Sequence, residues 1–112
     1  MLSFATKTTT EEKIGDAYAE ELINELIPWY LASEKENLVL LEKALAEKDF
    51  ATIIEIGDKL YGHSKTFGFD FISILGKRIE IAAIQRNTLM LSELLTSLKN
   101  YLQDCCKKYK LD

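Results

Sequence analysis

Five residues of types that take part in chemistry or binding lie close together near the middle of the chain: Asp58, Tyr61, Gly62, His63 and Lys65. A carboxylate, a phenol, an imidazole and an amine can accept, donate or neutralise charge. A glycine beside them leaves room for another molecule to approach. This segment is therefore the first candidate for a functional site.

The rest of the sequence has no pattern typical of an enzyme. It contains no Gly-rich phosphate loop and no Ser/His/Asp or Cys/His set, and its carboxylates are ordinary helix surface charge. The two cysteines, Cys105 and Cys106, are adjacent, and adjacent cysteines rarely bridge each other. Without a Cys-x-x-Cys motif, we expect no metal and no cofactor. Two reduced thiols fit a reducing compartment, so a cytoplasmic location is expected.

Length and composition indicate one globular domain. The chain has 112 residues, of which 47% are hydrophobic and 29% charged, and this is the size of a single domain covering residues 1–112. Its net charge of −4 argues against nucleic acid as a partner, because phosphate binding needs a dense basic face. No apolar stretch approaches the ~20 residues of a membrane span, and residues 1–10 are predicted to be a flexible N-terminus rather than a signal peptide.

The hydrophobic pattern predicts helices almost throughout and no strands. Five helix starts are predicted from capping residues and from proline: Thr9 (a capping box with Glu12), Pro28, Asp49, Asp70 and Thr88. Gly68 is expected to end the third helix in a left-handed conformation. The four long helices have short connections, which favours an all-α, antiparallel up-down four-helix bundle with an additional short N-terminal helix.

The candidate segment falls on the third predicted helix, on the side away from the core. With Asp58 at the centre of a face, Ile54, Gly62 and Lys65 lie within roughly 40° of it and Tyr61 about 60° away. The apolar residues expected to face the core lie on the opposite side: Ile53, Ile56, Leu60 and Phe67.

Gly62 is the unusual member of this face. A glycine inside a helix costs roughly 0.5–1 kcal/mol relative to alanine. It is explained by tolerated drift or by close packing of an adjacent helix, or else by an approach of a partner to Asp58, one turn earlier, and the spacing does not decide between them.

The segment DFATIIEIGDKLYGHSKTFGFD, residues 49–70, resembles the central motif of histidine-containing phosphotransfer (HPt) domains. In that family a helix carries His-x-Leu-Lys-Gly, followed by small residues and an aromatic residue or Leu before Gly. The similarity extends from about residue 26 to residue 102. The matching positions are Leu60, Gly62, Phe67 and Gly68, and the Gly-Phe-Asp of residues 68–70 recurs in one branch of the family. The resemblance implies a helical bundle that exchanges a phosphoryl group with a receiver-domain aspartate.

The chain departs from the family at the positions that carry the chemistry. The phosphoacceptor His of the family falls on Asp58, and the Lys that helps to neutralise the phosphoryl group falls on Tyr61. A carboxylate repels incoming phosphoryl oxygens, and a tyrosine supplies neither a cation nor a base at pH 7. We therefore expect phosphotransfer to be absent, and no catalytic residue is assigned.

His63 is the only alternative acceptor in the sequence. It lies about 140° around the helix from Asp58, so it is expected at the core boundary as a partly buried packing residue. Lys65 is either a solvated surface lysine or a positive charge for a partner. Ile54 and Tyr61 either contact a partner directly or pack against the neighbouring helix.

The sequence thus predicts an HPt-like signalling module that binds a response-regulator receiver domain or a sensor histidine kinase without accepting phosphate. No nucleic acid or membrane is expected as a partner, and a monomer is favoured. Two alternatives stay open: an active carrier, using His63 or being an altered form of an active parent with Asp58 introduced, and a structural bundle outside signalling. The expected partner-binding residues are Ile54, Asp58, Tyr61, Gly62 and Lys65.

Overall fold

The computed structural model describes the backbone of residues 2–111 and the side chains of residues 20–111. Within that range the chain forms four α-helices and no strand, as the hydrophobic pattern predicts. The helices are α1 (Leu2–Ala46), α2 (Phe50–Thr66), α3 (Asp70–Ile84) and α4 (Thr88–Lys108). The side chains of the predicted capping box at Thr9 and Glu12 lie outside the described residues.

The predicted boundary at Pro28 is wrong, because Pro28 lies inside the continuous helix α1. There is thus no separate short helix before it in the described backbone. A proline inside a helix removes one N–H donor, which would otherwise bond to the carbonyl of Asn24. Ile27, Tyr30 and Leu31 surround this position and are buried in the bundle. The packing of these side chains against the bundle keeps α1 continuous through Pro28. This tertiary packing cannot be predicted from the residues next to the proline.

Three-residue connections join the helices, at residues 47–49, 67–69 and 85–87. The middle residue of each has a left-handed conformation: Lys48 (φ 55°), Gly68 (φ 80°) and Arg86 (φ 55°). The prediction for Gly68 is therefore confirmed. Such short turns reverse the chain, so that consecutive helices lie antiparallel.

Helix starts are capped partly as predicted. The Asp49 carboxylate accepts hydrogen bonds from the backbone N–H of Thr52 (3.2 Å) and from its hydroxyl (2.6 Å), and these bonds lower the pKa of Asp49. The predictions for α3 and α4 were off by one residue. Phe69 precedes α3 without a side-chain cap, and Asn87 caps α4 by accepting from the N–H of Met90 at 3.0 Å.

The helices pack in a ring, in which α1 contacts α2 and α4, while α3 contacts α2 and α4. This is the neighbour order of an up-down four-helix arrangement. Each helix buries one apolar side in a common core. The fully buried large residues include Leu31, Leu41, Ile53, Leu60, Ile72, Ile79, Leu91 and Leu98.

Candidate docking face on α2

Helix α2 presents the candidate segment outward, as predicted. Asp58, Gly62 and Lys65 are exposed to solvent. Ile53, Ile56 and Leu60 are buried in the core, and Phe67, just after the helix, packs against it while half-buried. The pattern of the sequence therefore orients α2 correctly.

Gly62 has free space where a side chain would begin. A Cβ atom added at this position would meet no atom of another part of the chain within 4 Å. The interpretation in which Gly62 allows an adjacent helix to pack closely is therefore wrong. No neighbouring element in the described structure accounts for the glycine.

Tyr61 is half-buried at the border between α2 and α3. Its backbone carbonyl accepts a hydrogen bond of 2.8 Å from the Ser73 hydroxyl on α3. Two lysines lie near its ring: Lys65 Nζ is 5.0 Å and Lys77 Nζ is 4.9 Å from the ring centroid. Lys65 Nζ also donates to the Tyr61 hydroxyl at 3.3 Å. Cation–π contacts at this distance hold the ring and both amines together at the surface.

Lys77 is a member of this surface that the sequence pattern does not identify, because it comes from α3. Its Nζ forms an ion pair of 2.8 Å with Glu80. The hydrogen bond with Glu80 raises the pKa of Lys77, and the negative charge of Asp58 acts in the same direction. The helix pairing thus brings a cation from α3 close enough to Asp58 for the two charges to interact.

Ile54 packs against the core as a half-buried residue. Both Ile54 and Tyr61 therefore have part of their surface covered by the bundle and part available to a partner. The docking face is defined here as Ile54, Asp58, Tyr61, Gly62 and Lys65, with Lys77 added from α3.

His63 is exposed, and the prediction that it is partly buried is wrong. The buried side of α2 is rotated toward Gly57 and Ser64, which places His63 on the solvent side of the core boundary. The neighbouring Ser64 is the buried residue, and a hydrogen bond joins its hydroxyl to the hydroxyl of Tyr30 on α1. Tyr30 also stacks on Phe67, with ring centroids 4.6 Å apart.

On its α3 side, helix α2 makes a backbone contact through two glycines that the sequence analysis did not single out. A Cβ at Gly57 would lie 2.9 Å from the carbonyl oxygen of Gly76. A Cβ at Gly76 would lie 2.7 Å from the Cβ of Leu60 and 2.8 Å from the carbonyl oxygen of Gly57. These distances leave no room for a side chain at either position. The glycines let α2 and α3 cross closely, which fixes the position of Lys77 beside Tyr61.

One acidic side chain lies in the core near the Tyr30–Ser64 hydrogen bond. Glu34 is 2% exposed, and its Oε1 accepts from the Asn37 amide at 3.2 Å, while its Oε2 has no partner among the described residues. Burial raises the pKa of Glu34 to about 7. Burial also raises the pKa of Tyr30, as it does that of Cys105.

Neither a candidate metal site nor a membrane-spanning helix is found among the described residues. No group of three or more His, Cys, Asp or Glu side chains is arranged there to hold a metal ion, and Cys105 and Cys106 are buried free thiols. None of the four helices, over the residues described, combines the length and the apolar character needed to cross a membrane.

Comparisons with known proteins do not identify a relative. No protein-family model matches the chain, and neither the curated proteins nor the solved structures contain a significant match.

Proposed function

We propose that the chain is a degenerate HPt-like module that docks a receiver domain or a sensor histidine kinase through α2 without carrying phosphate. The observation that carries this proposal is the open space at Gly62. This glycine is costly in a helix, no neighbouring element requires it, and it lies one turn from exposed Asp58. A surface without a side chain at this point lets a partner approach the carboxylate.

The chemistry of the face supports binding rather than transfer. The acceptor position of the motif carries a carboxylate, and an acyl phosphate formed there would lack the imidazole nitrogen that holds the phosphoryl group in the family. Asp58 instead places a permanent negative charge at this position. One carboxylate charge is smaller than the charge of about two carried by a phosphoryl group, so any mimicry of a phosphorylated carrier is partial.

The cations around Tyr61 give the face a second recognition element. Lys65 and Lys77 both lie near 5 Å from the Tyr61 ring, on the side of α2 that faces α3. The receiver domains that HPt proteins dock have acidic phosphorylation pockets. The positive charge of Lys65 would attract such a pocket, whereas the charge of Lys77 is largely compensated by its ion pair with Glu80. The module would then compete with an active carrier or sequester a signalling component.

The test is a binding experiment with a panel of receiver domains and kinase domains from the source organism. The full chain is expected to bind at least one of them. Gly62→Gln is expected to weaken that binding by about tenfold or more, because its side chain fills the approach to Asp58. Tyr61→Ala is expected to weaken it by a similar factor. Lys59→Ala is the matched control, because Lys59 is exposed on the same helix but outside the docking face, and it should bind as the unaltered chain does.

Binding to no member of the panel would contradict the proposal and favour the structural bundle. Equal weakening by Lys59→Ala and Gly62→Gln would place the contact elsewhere on α2.

The exposure of His63 supports one alternative function. An exposed imidazole is accessible to a phosphorylated receiver, so an active carrier that uses His63 is the second candidate. His63 lies outside the docking face, and its use would require a different docking pose. A phosphoryl label that is acid-labile, base-stable and absent from His63→Gln would establish this alternative.

A further inference from the structure

Helix α1 has an exposed row of residues on the side away from the bundle. Its members recur at alternating spacings of four and three, which is the 3.5-residue repeat of a coiled-coil seam. They are Leu22, Leu26, Trp29, Ser33, Glu36 and Leu40. We call this set the outer row of α1. Ser33 is half-buried and the other members are exposed, because Ile27, Tyr30, Leu31 and Leu38 form the buried side of the same helix.

The outer row holds a large share of the exposed apolar surface. Leu22, Leu26, Trp29 and Leu40 are all more than 40% exposed, and Trp29 reaches 65%. Val39, exposed to 62%, lies on the flank of the row. A tryptophan and several aliphatic residues aligned over about 27 Å of helix exceed the scattered apolar residues of an ordinary surface.

We propose that the outer row binds the outer row of a second copy of this chain, in an antiparallel, two-fold symmetric dimer. In that register Leu22 lies opposite Leu40 of the second copy, and Trp29 lies opposite Ser33. The small side chain of Ser33 leaves room for the indole ring of the other copy. The two-fold axis passes at the level of residue 31, and the small side chain of the next residue, Ala32, which is exposed beside the row, allows the helices to approach.

Charge complementarity selects this occupant and this orientation. Glu21 and Lys43 are both exposed. They lie on the same flank of the outer row, Glu21 near its N-terminal end and Lys43 near its C-terminal end. The antiparallel arrangement brings Glu21 of each copy beside Lys43 of the other, which gives two reciprocal ion pairs. A parallel arrangement would bring Glu36 against Glu36, and like charges in a seam are destabilising. It would also leave Glu21 at the opposite end of the helix pair from Lys43, so that no ion pair forms.

Glu36 limits the strength of the dimer. It is the only charged member of the outer row, and it lies opposite Leu26 of the second copy. A single polar residue in a seam reduces stability while helping to fix the register. We therefore expect an association that depends on protein concentration in the micromolar range. The outer row shares no residue with the docking face, so the dimer does not rest on the proposed docking function.

Sedimentation of the full chain over a wide concentration range tests the proposal. A reversible monomer–dimer equilibrium is expected. Leu26→Glu should abolish it, and Glu36→Leu should tighten it by about tenfold or more. Helix content by circular dichroism controls for folding, because both positions are exposed. A chain that stays monomeric at every concentration, or a Glu36→Leu variant that does not tighten, overturns the proposal.

A charge exchange tests the antiparallel orientation. Glu21→Lys alone and Lys43→Glu alone should each weaken the dimer by about tenfold, because each creates two like-charge contacts. The double variant should recover the original affinity. A double variant that stays weak would contradict the antiparallel register.

Cross-linking tests the position of the axis. Ala32→Cys is expected to be cross-linked between copies by a short bis-maleimide reagent, which spans the gap that a direct disulfide would not. Ala46→Cys is the matched control, exposed on the same helix but remote from the axis, and it should not be cross-linked under the same conditions. Equal cross-linking of the two variants would contradict the proposed geometry.

Discussion

Helix α2 carries two glycines whose surroundings differ completely. At Gly57 an added Cβ would collide with the backbone of α3, whereas at Gly62 it would meet no neighbouring element within 4 Å. The first glycine is explained by the fold, since α2 and α3 cross too closely for a side chain. The second is not explained by the fold. The difference separates a structural requirement from a candidate functional one on a single helix, five residues apart.

The largest expected effect is at the helix crossing. Gly57→Ala should lower the free energy of unfolding by about 3 kcal/mol, because its Cβ would lie 2.9 Å from a backbone oxygen that cannot move without shifting α3. Urea unfolding measures this. An effect within about 0.5 kcal/mol would mean that the two helices do not cross as described.

The next comparison concerns two adjacent residues of α2, one buried and one exposed. Ser64→Ala should lower the free energy of unfolding by about 2 kcal/mol, because it leaves the buried Tyr30 hydroxyl without its partner. His63→Ala should change it by less than about 0.5 kcal/mol. Equal effects of the two substitutions would contradict the orientation assigned to α2.

A third prediction concerns the core beneath α2, where Glu34 is buried. Its pKa is raised from 4.5 to about 7, so the unfolded chain loses this proton at a lower pH than the folded chain. The contribution of Glu34 to the free energy of unfolding is therefore most favourable below pH 4.5, and it is lost as the pH rises toward 7. The shift corresponds to at most roughly 3 kcal/mol.

Glu34→Gln removes this titration. We expect the variant to be more stable than the unaltered chain at pH 8 by about 1–2 kcal/mol, and its advantage to disappear near pH 4. Thermal unfolding over this pH range measures the difference. An advantage that does not change with pH would show that Glu34 titrates normally.

The smallest expected effect is at Gly62 and has the opposite sign from Gly57. Gly62→Ala should raise the free energy of unfolding by about 0.5–1 kcal/mol, because alanine favours the helix and its methyl group enters free space. A stability gain at a position where a larger side chain weakens partner binding would identify Gly62 as retained for function. A destabilised Gly62→Ala variant would show an unrecognised structural role.

The sequence predicts the features that depend on the residues of one helix. The spacing of Ile53, Ile56 and Leu60 predicts which side of α2 faces the core. The capping hydrogen bonds of Asp49 predict where α2 begins. Its exact rotation depends on what packs against it, so the exposure of His63 was not anticipated.

Features that need two elements could not be predicted from one sequence. Gly57 and Gly76 are nineteen positions apart and are meaningful only as a pair across the α2–α3 crossing. That crossing also brings Lys77 to Tyr61. The continuity of α1 through Pro28 likewise depends on tertiary packing, which outweighs the local cost of a proline.

The central claim is that the docking face binds a signalling partner but does not accept its phosphate. It is tested most directly by incubating the full chain with the receiver domain it binds, in the radiolabelled phosphorylated form. We predict a stable complex in which all of the label stays on the receiver. An acid-labile, base-stable label on this chain, located at His63, would contradict the account.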